Sequence, residues 1–202
     1  DNAQGTFTYK KNSFLLVDLP GTYSLLAHTV EEEIARNFIC FGQPDVTVVV
    51  LDATSLERNL NLALQIMEIT SQVVVCVNLI DEAERKNIII DFSGLEKELG
   101  VPVVAAAARK GIGLEKLKEE VYQIALGLKK VQPRKIRYSP EIENALADLV
   151  PKIHSLGCEQ LLNPRWVALR FLDSDEELIN SIVKYLDLQG WPSVRDEVGI
   201  AL

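Results

Sequence analysis

The chain has 202 residues, of which 48% are hydrophobic, and 29 acidic side chains against 21 basic ones give it a formal net charge of −8. A chain of this length can bury a sizeable core and is expected to form one domain followed by a smaller one. Acidic residues outnumber basic ones on both sides of Lys129, which argues against nucleic acid and anionic membrane surfaces as partners.

Four short apolar runs in the first two thirds of the chain have the composition of β-strands. They cover residues 14–17, 46–51, 73–77 and 103–106, and most are rich in β-branched side chains. Nearly continuous runs of this kind predict strands that are buried on both faces, as in a parallel sheet. Two helical patterns, with leucines and similar residues spaced near four, lie between or after them: Leu56, Leu60, Leu64 and Met67, then Leu114, Leu117, Val121, Ile124 and Leu128. Strands alternating with helices predict an α/β domain with a wound sheet.

Two further helices have start signals in the sequence. Thr29 is followed three residues later by Glu32, and Ser93 is followed by Glu96. A hydroxyl residue followed at this spacing by a glutamate is typical of a capping box. We therefore expect one helix to begin just after Thr29 and another just after Ser93.

From about Lys130 the sequence has no strand-like apolar run longer than a few residues. This change predicts a second domain at residues 131–202 after a first domain at residues 1–130. Ser139-Pro140 and Asn163-Pro164 each place a capping residue before a proline, and Ser174 precedes a third helical pattern. These signals predict a small all-helical unit. Its expected apolar positions are Trp166, Leu169 and Leu172 in one helix, and Leu178, Ile182, Val183 and Leu186 in the next.

Three polar segments follow predicted strands, at the sheet edge where wound sheets bind their ligands. The first is Asp18, Leu19, Pro20 and Gly21; the second is Asn78, Leu79, Ile80 and Asp81; the third is Ala107, Ala108 and Arg109. Each segment alone is a common turn sequence, since Asp, Pro and Gly are frequent where strands end. In this order they have the pattern of the later guanine-nucleotide motifs of a GTPase.

The chemistry of these residues supports that interpretation. The Asp81 carboxylate can accept hydrogen bonds from both N1–H and the exocyclic amine of guanine, a donor pair that adenine lacks. Asn78 can tie neighbouring loops together, and the third segment can point a backbone N–H at the guanine O6. Asp18 can approach Mg²⁺, most simply through water, and the backbone N–H of Gly21 can face a terminal phosphate.

The 202 residues contain no G-x-x-x-x-G-K-[ST] phosphate loop. In a Ras-like sheet the strand before that loop lies between the strand that ends at Asp18 and the one that ends at Leu51, so its loss would leave a gap. We therefore expect the sequence to be incomplete at its front end rather than that of a natural pseudo-GTPase. We also expect the 202-residue chain to bind GTP weakly or not at all, because the triphosphate would lack its amide cradle and lysine.

Longer stretches resemble one family, the bacterial ferrous iron transport protein B, in its cytosolic G domain. The resemblance rests on residues 18–25, 52–60, 78–83 and 108–111, of which the D-A-T-S-L-E-R-N-L string is the most specific. It extends more weakly into the family's helical domain at residues 164–169. Two departures from related GTPases stand out: Ala107 stands where serine is frequent, and Thr22 stands where Ras-like enzymes have a water-orienting glutamine. The second departure indicates slow intrinsic hydrolysis or a different device for positioning water.

This resemblance implies a GTP-binding and slowly GTP-hydrolysing regulatory domain of a ferrous iron transporter, with GTP or GDP and Mg²⁺ as cofactors. It implies a place on the cytoplasmic face of the bacterial inner membrane, the 202-residue chain itself being soluble. Its implied partner is the membrane-pore domain of the same polypeptide, and a homo-oligomer is compatible with it. Two alternatives stay open: a stand-alone GTPase of the ribosome-assembly or tRNA-modification type, and a catalytically dead interaction module. The acidic tail speaks against the first, because such GTPases carry basic RNA-binding appendages.

Overall fold

A computed structural model of the protein describes residues 3–22, 24–25, 29–155, 161–173 and 175–188. Contacts divide the chain into two compact units, residues 1–134 and residues 135–202. The strands that the structure describes all lie in the first unit, together with five α-helices, and the described part of the second unit is helical. The predicted fold class, an α/β Ras-like part followed by an all-helical part, is confirmed.

The first unit begins with an antiparallel hairpin formed by β1 (Ala3–Tyr9) and β2 (Asn12–Asp18). Its two-residue turn has positive φ angles, 47° at Lys10 and 68° at Lys11, which suit the twist of a tight hairpin. The prediction that residues 14–17 form a buried strand of a parallel sheet is wrong. Leu15 is 65% exposed and Leu16 57% exposed. Because successive strand residues point to opposite faces, both faces of β2 are open at this point.

A separate parallel sheet forms the core of the first unit. It consists of β3 (Thr47–Asp52), β4 (Val73–Asn78) and β5 (Val103–Ala105), with β4 in the centre. The predicted double-sided burial is confirmed for β4, whose Val73, Val74, Val75 and Val77 are all 0% exposed. In the described part of the chain β2 and β3 do not pair, so the hairpin and this sheet are separate sheets.

Five helices complete the first unit. They are α1 (Val30–Phe41), α2 (Leu56–Ile69), α3 (Ile80–Arg85), α4 (Phe92–Leu99) and α5 (Leu114–Ala125). The two helices predicted from leucine spacing are confirmed as α2 and α5, although α5 ends before Leu128, which is 67% exposed. Gly127, with a φ of 67°, interrupts the helical backbone just before that residue.

One of the two predicted helix caps is correct. The Thr29 side chain accepts a hydrogen bond from the backbone N–H of Glu32 at the start of α1. At α4 the cap is Asp91 and not Ser93, since the Asp91 carboxylate accepts from the N–H of Gly94 at 2.8 Å. The acidic residue two positions earlier takes the cap because a carboxylate is at least as good an acceptor for the first free N–H groups of a helix.

Helix α5 holds the tip of the hairpin through a polar and aromatic cluster. The Tyr9 hydroxyl donates to the Glu119 carboxylate at 2.9 Å, and the Lys10 ammonium lies 2.6 Å from the same oxygen. The Lys10 ammonium also lies 5.1 Å from the centre of the Tyr122 ring. The hydrogen bond from Lys10, with others from Gln123 and Tyr9, lowers the pKa of Glu119 to about 2. The hairpin is therefore fixed to α5 rather than to the parallel sheet.

The described part of the second unit consists of α6 (Pro140–Ser155), α7 (Pro164–Asp173) and α8 (Glu176–Leu188). Both predicted Pro starts are confirmed, and Asn163 caps α7 by accepting from the N–H of Arg165. The predicted start at Ser174 lies outside the described residues, and the side chain of Asp175 caps α8 by accepting from the N–H of Leu178. No helix among the described residues is long and apolar enough to cross a membrane.

Most of the predicted apolar positions of the second unit are buried. Trp166 and Leu169 are only 4% and 5% exposed. The prediction that Leu172 is buried is wrong, because Leu172 is 39% exposed and its neighbour Phe171 is buried instead. The helical repeat of 3.6 residues explains this, because steps of three drift away from the buried face after two turns. In α8 the predicted stripe is confirmed at Leu178, Ile182 and Leu186, and Val183 is half-buried.

Candidate functional site

Two of the three predicted segments meet at the carboxyl edge of the parallel sheet. Asn78 is the last residue of β4, and its side-chain oxygen accepts a hydrogen bond from the backbone N–H of Ala108 at 3.0 Å. The backbone N–H of Ile80 donates to the carbonyl of Ala106 at 3.2 Å, beside this bond. Because β4 and β5 are parallel neighbours, their following loops start side by side, and Asn78 ties them together.

The backbone at Leu79 turns sharply and determines where Asp81 lies. Leu79 has a φ of 63°, in the left-handed region that branched side chains seldom occupy, and it is the residue from which α3 starts. Asp81 then lies in the first turn of α3, where a carboxylate is favoured by the free N–H groups of the helix. The strained residue therefore places an acidic side chain at the sheet edge within three residues of Asn78.

The Asp81 carboxylate is paired with Lys110 of the third loop. Its Oδ2 lies 2.8 Å from the Lys110 ammonium, and the Asp81 side chain is 22% exposed. The hydrogen bond from Lys110 lowers the pKa of Asp81 below its usual value, so the carboxylate is ionised and ready to accept hydrogen bonds. Lys110 was not among the predicted site residues. Its position directly after the predicted Ala107–Arg109 segment is the signal that could have included it.

The third loop is a compact turn built on two glycines. Ala107 and Ile112 exchange backbone hydrogen bonds of 3.1 and 3.3 Å, which closes the loop. Gly111 and Gly113 have φ values of 73° and 82°, a conformation that costs other residues energy. Gly113 is also crowded, since a Cβ there would lie 2.2 Å from the carbonyl oxygen of Ala105. The sequence requirement for glycine at position 113 is therefore both conformational and steric.

Most backbone N–H groups of this loop are already used within the protein. Ala107 donates to Ile112, Ala108 to the Asn78 side chain, and Lys110 to the carbonyl of Ala107. Within the described part of the chain, the N–H of Arg109 has no backbone acceptor outside this turn. A short 3-10 turn, Ala108–Lys110, leaves its first N–H groups open in this way. The loop thus contains a backbone donor, Arg109, next in sequence to Lys110, whose ammonium pairs with Asp81.

The first predicted segment lies apart from the other two. Asp18 ends β2 and is exposed, and Gly21 has open space where a Cβ would be. The Thr22 hydroxyl, which replaces the usual glutamine, makes a local turn: it donates to the carbonyl of Ser24 and accepts from the N–H of Ser24 at 3.1 Å. Asp18 is a single carboxylate, and the described residues contain no cluster of three or more potential metal ligands.

A surface groove of the first unit lies at a different place from these segments. It is lined by the residues around the start of α2 and by residues 88–91 before α4, with Ile89 97% exposed. None of the predicted site residues lines this groove. Only the second and third predicted segments therefore meet at the edge of the parallel sheet, and this groove is a separate feature.

Comparison with known proteins identifies relatives over almost the entire chain. The profile of the family described as ferrous iron transport protein B matches residues 1–121. A second profile, described as the FeoB cytosolic helical domain, matches residues 138–197. The two matches together reach from the hairpin into the helical unit.

Curated relatives carry the same name. The chain is 35% identical over 178 residues to an Fe(2+) transport protein A/Fe(2+) transporter FeoB fusion protein of Porphyromonas gingivalis, covering 87% of the chain and 21% of the relative. It is 34% identical over 181 residues to the Fe(2+) transporter FeoB of Escherichia coli, covering 87% and 22%. The chain therefore spans about a fifth of the length of these relatives.

Solved structures agree with this relationship. The cytosolic domain of the T. maritima FeoB iron transporter in its GMPPNP form is 34% identical, with a TM-score of 0.81 over 91% of this chain and 71% of that one. Its GDP form I gives a TM-score of 0.80 at the same identity and coverage. The similarity thus covers most of this chain, and the T. maritima domain has been solved in a GMPPNP form and, separately, in a GDP form.

Proposed function

The chain belongs to the ferrous iron transport protein B family, and we propose that it is the guanine-nucleotide-binding cytosolic regulatory part of a ferrous iron transporter. The observation that carries this proposal is the edge where Asn78 ties its loop to Ala108 while Asp81 presents an ionised carboxylate. Both loops stem from the buried parallel sheet, so the edge is held in place before a nucleotide arrives.

In this proposal Asp81 selects the base. Its carboxylate accepts hydrogen bonds from N1–H and from the exocyclic amine of guanine, and these donors replace the Lys110 ammonium as its partners. Asn78 joins the second and third loops through its hydrogen bond with Ala108, and Leu79 and Ile80, which follow it, connect it to Asp81. In the third loop, Ala107 is bonded to Ile112 and Ala108 to the Asn78 side chain, and the N–H of Arg109 donates to the guanine O6.

The phosphate side of the nucleotide belongs to the first segment. Asp18 would hold Mg²⁺ through water, and Gly21 would offer its N–H to the terminal phosphate, with Leu19 and Pro20 connecting the two. When bound, Mg²⁺ would neutralise phosphate charge. Hydrolysis is slow, because the Thr22 hydroxyl is hydrogen-bonded to the backbone of Ser24 and does not orient a water molecule.

The relatives support a place beneath a membrane pore. The relatives are Fe(2+) transporters about five times as long as the matched segment. We infer a membrane-pore domain in the same polypeptide, a location at the cytoplasmic face of the bacterial inner membrane, and assembly as a homo-oligomer. The net charge of −8 disfavours the RNA-bound GTPase alternative.

A nucleotide panel tests the base site without any mutation. GDP, IDP and ADP compete with a fluorescent GDP for the complete protein in excess Mg²⁺. Inosine lacks the exocyclic amine, so IDP loses one hydrogen bond to the Asp81 carboxylate, which costs about 1.5–3 kcal/mol, or roughly tenfold or more in affinity. ADP binds more weakly still, because adenine offers neither donor. Equal affinities for GDP and IDP would contradict this assignment of Asp81.

A further inference from the structure

The loop that follows the Asp18–Gly21 segment is attached to α2 by one side chain. The side-chain oxygen of Gln65 lies 2.7 Å from the backbone N–H of Leu25 and accepts its hydrogen bond. The same oxygen lies 3.4 Å from the Ser24 hydroxyl, which donates to it. A residue 40 positions away in the sequence thus holds the middle of the connection between β2 and α1.

Gln65 extends from a part of the molecule that has little freedom to move. Its neighbours Ala63, Ile66 and Met67 are 0%, 4% and 6% exposed, and α2 packs against β3 and β4. Leu25 is itself only 6% exposed, so the loop contributes an apolar anchor as well as the hydrogen bond. The attachment therefore joins a loop to a fixed helix in the core.

The attached loop lies directly after the residue that the proposed function assigns to the terminal phosphate. Leu25 follows Gly21 by four positions. Thr22 and Ser24 are joined by their own turn, in which the Ser24 N–H donates to the Thr22 hydroxyl at 3.1 Å. Gly21 and Leu25 are thus only four positions apart, and the Thr22–Ser24 hydrogen bonds lie between them, which favours coupled displacement of the two residues.

We propose that Gln65 is a positioning residue for this loop: it holds Leu25 on α2 and so sets where Gly21 can meet a terminal phosphate. The proposal deepens the proposed function and rests on it for the role of Gly21. Gln65 does not contact the nucleotide. It acts through Leu25, and its loss releases the loop while the base site at Asn78 and Asp81 stays intact.

Hydrogen exchange of the Leu25 amide tests the attachment directly and needs no nucleotide. In the wild type this amide is protected, and in Gln65→Leu, which keeps the bulk but removes the acceptor, it exchanges at least about fivefold faster. Gln65→Glu keeps an acceptor and restores the protection. Asn61→Leu, an exposed amide residue one turn earlier on α2, is the matched control and leaves Leu25 unchanged.

The core amide of Val75 separates release of the loop from general destabilisation. It lies in the central strand and keeps its exchange rate in all variants. The proposal is overturned if the wild-type Leu25 amide is unprotected, if Gln65→Leu leaves it as it was, or if Leu25 and Val75 accelerate by the same factor. The wild-type measurement decides even where a variant does not fold.

Nucleotide turnover in the complete protein then tests the consequence. Gln65→Leu lowers the kcat of GTP hydrolysis severalfold and keeps the GDP affinity within twofold, and Gln65→Glu recovers the kcat. An unchanged kcat, or an equal loss of GDP affinity, overturns the positioning role. Failure of the proposed function has a different signature, because the exchange of the Leu25 amide is measured without nucleotide. A protein that binds no guanine nucleotide but keeps the Gln65-dependent protection of Leu25 would contradict the proposed function and leave the attachment in place.

Discussion

A pair of glycine substitutions in the third loop separates two costs that the structure assigns to neighbouring positions. Gly111 and Gly113 both have φ in the left-handed region, at 73° and 82°. A Cβ at Gly111 would have nothing within 4 Å, whereas one at Gly113 would lie 2.2 Å from the carbonyl oxygen of Ala105 and 3.0 Å from the Cα of Ala106. Gly111→Ala carries only the conformational cost, roughly 1–2 kcal/mol.

Gly113→Ala carries the same conformational cost and an overlap with the backbone at the end of β5, which cannot yield as a side chain would. We expect a total loss above about 3 kcal/mol in the free energy of unfolding, since strain at a special φ combined with overpacking belongs to the severe class of single changes. Urea unfolding of both variants, followed by a probe of the first unit, measures the difference. Equal losses for the two variants would refute the reasoning from the Ala105 contact.

Two further predictions concern the second unit. The Arg165 guanidinium, which donates to both Glu143 carboxylate oxygens at 2.8 and 3.1 Å, lowers the pKa of Glu143 to about 2. Because the pKa is lowered in the folded state, the pair stabilises the unit above the ordinary glutamate pKa of 4.5, and this stabilisation is lost as the pH falls towards about 2. Glu143→Gln should therefore make the unfolding midpoint less dependent on pH between pH 6 and about 2. Trp166→Ala should cost about 3–5 kcal/mol and Leu172→Ala under about 1 kcal/mol, because only Trp166 is buried; similar losses in thermal or urea unfolding would contradict the burial of α7.

The parts of the fold that local chemistry determines could be predicted from the sequence. The valine run of β4 is buried on both faces, as its composition predicts, and Thr29 and the two Ser/Asn-Pro pairs mark helix starts correctly. At Asp91 and Ser93 two good capping residues compete within one turn, and the sequence does not rank them. For β2 the apolar run Phe14–Val17 predicts burial, but burial depends on which strands lie beside it.

The site divides in the same way. Residue type and position after a strand led to the prediction of Asn78 and Asp81, because an amide and a carboxylate three residues apart after one strand, β4, have a recognisable chemistry. Lys110 and Gln65 were missed, since their roles depend on contacts with residues 29 and 40 positions away in the sequence. A lysine in a loop and a glutamine on a helix have no local pattern that indicates such a partner.

Exchange of base preference by Asp81→Asn tests the central claim most directly. The affinities of the complete protein for GDP and XDP are measured for the wild type, for Asp81→Asn and for Glu82→Gln, which removes a charge from the same turn of α3. The amide of Asp81→Asn can donate to the xanthine carbonyl that replaces the guanine amine, while its oxygen still accepts from N1–H. We predict that Asp81→Asn weakens GDP by at least about tenfold and strengthens XDP, and that Glu82→Gln changes neither. Equal GDP affinity in the wild type and Asp81→Asn would show that the Asn78–Asp81 segment is not the guanine site.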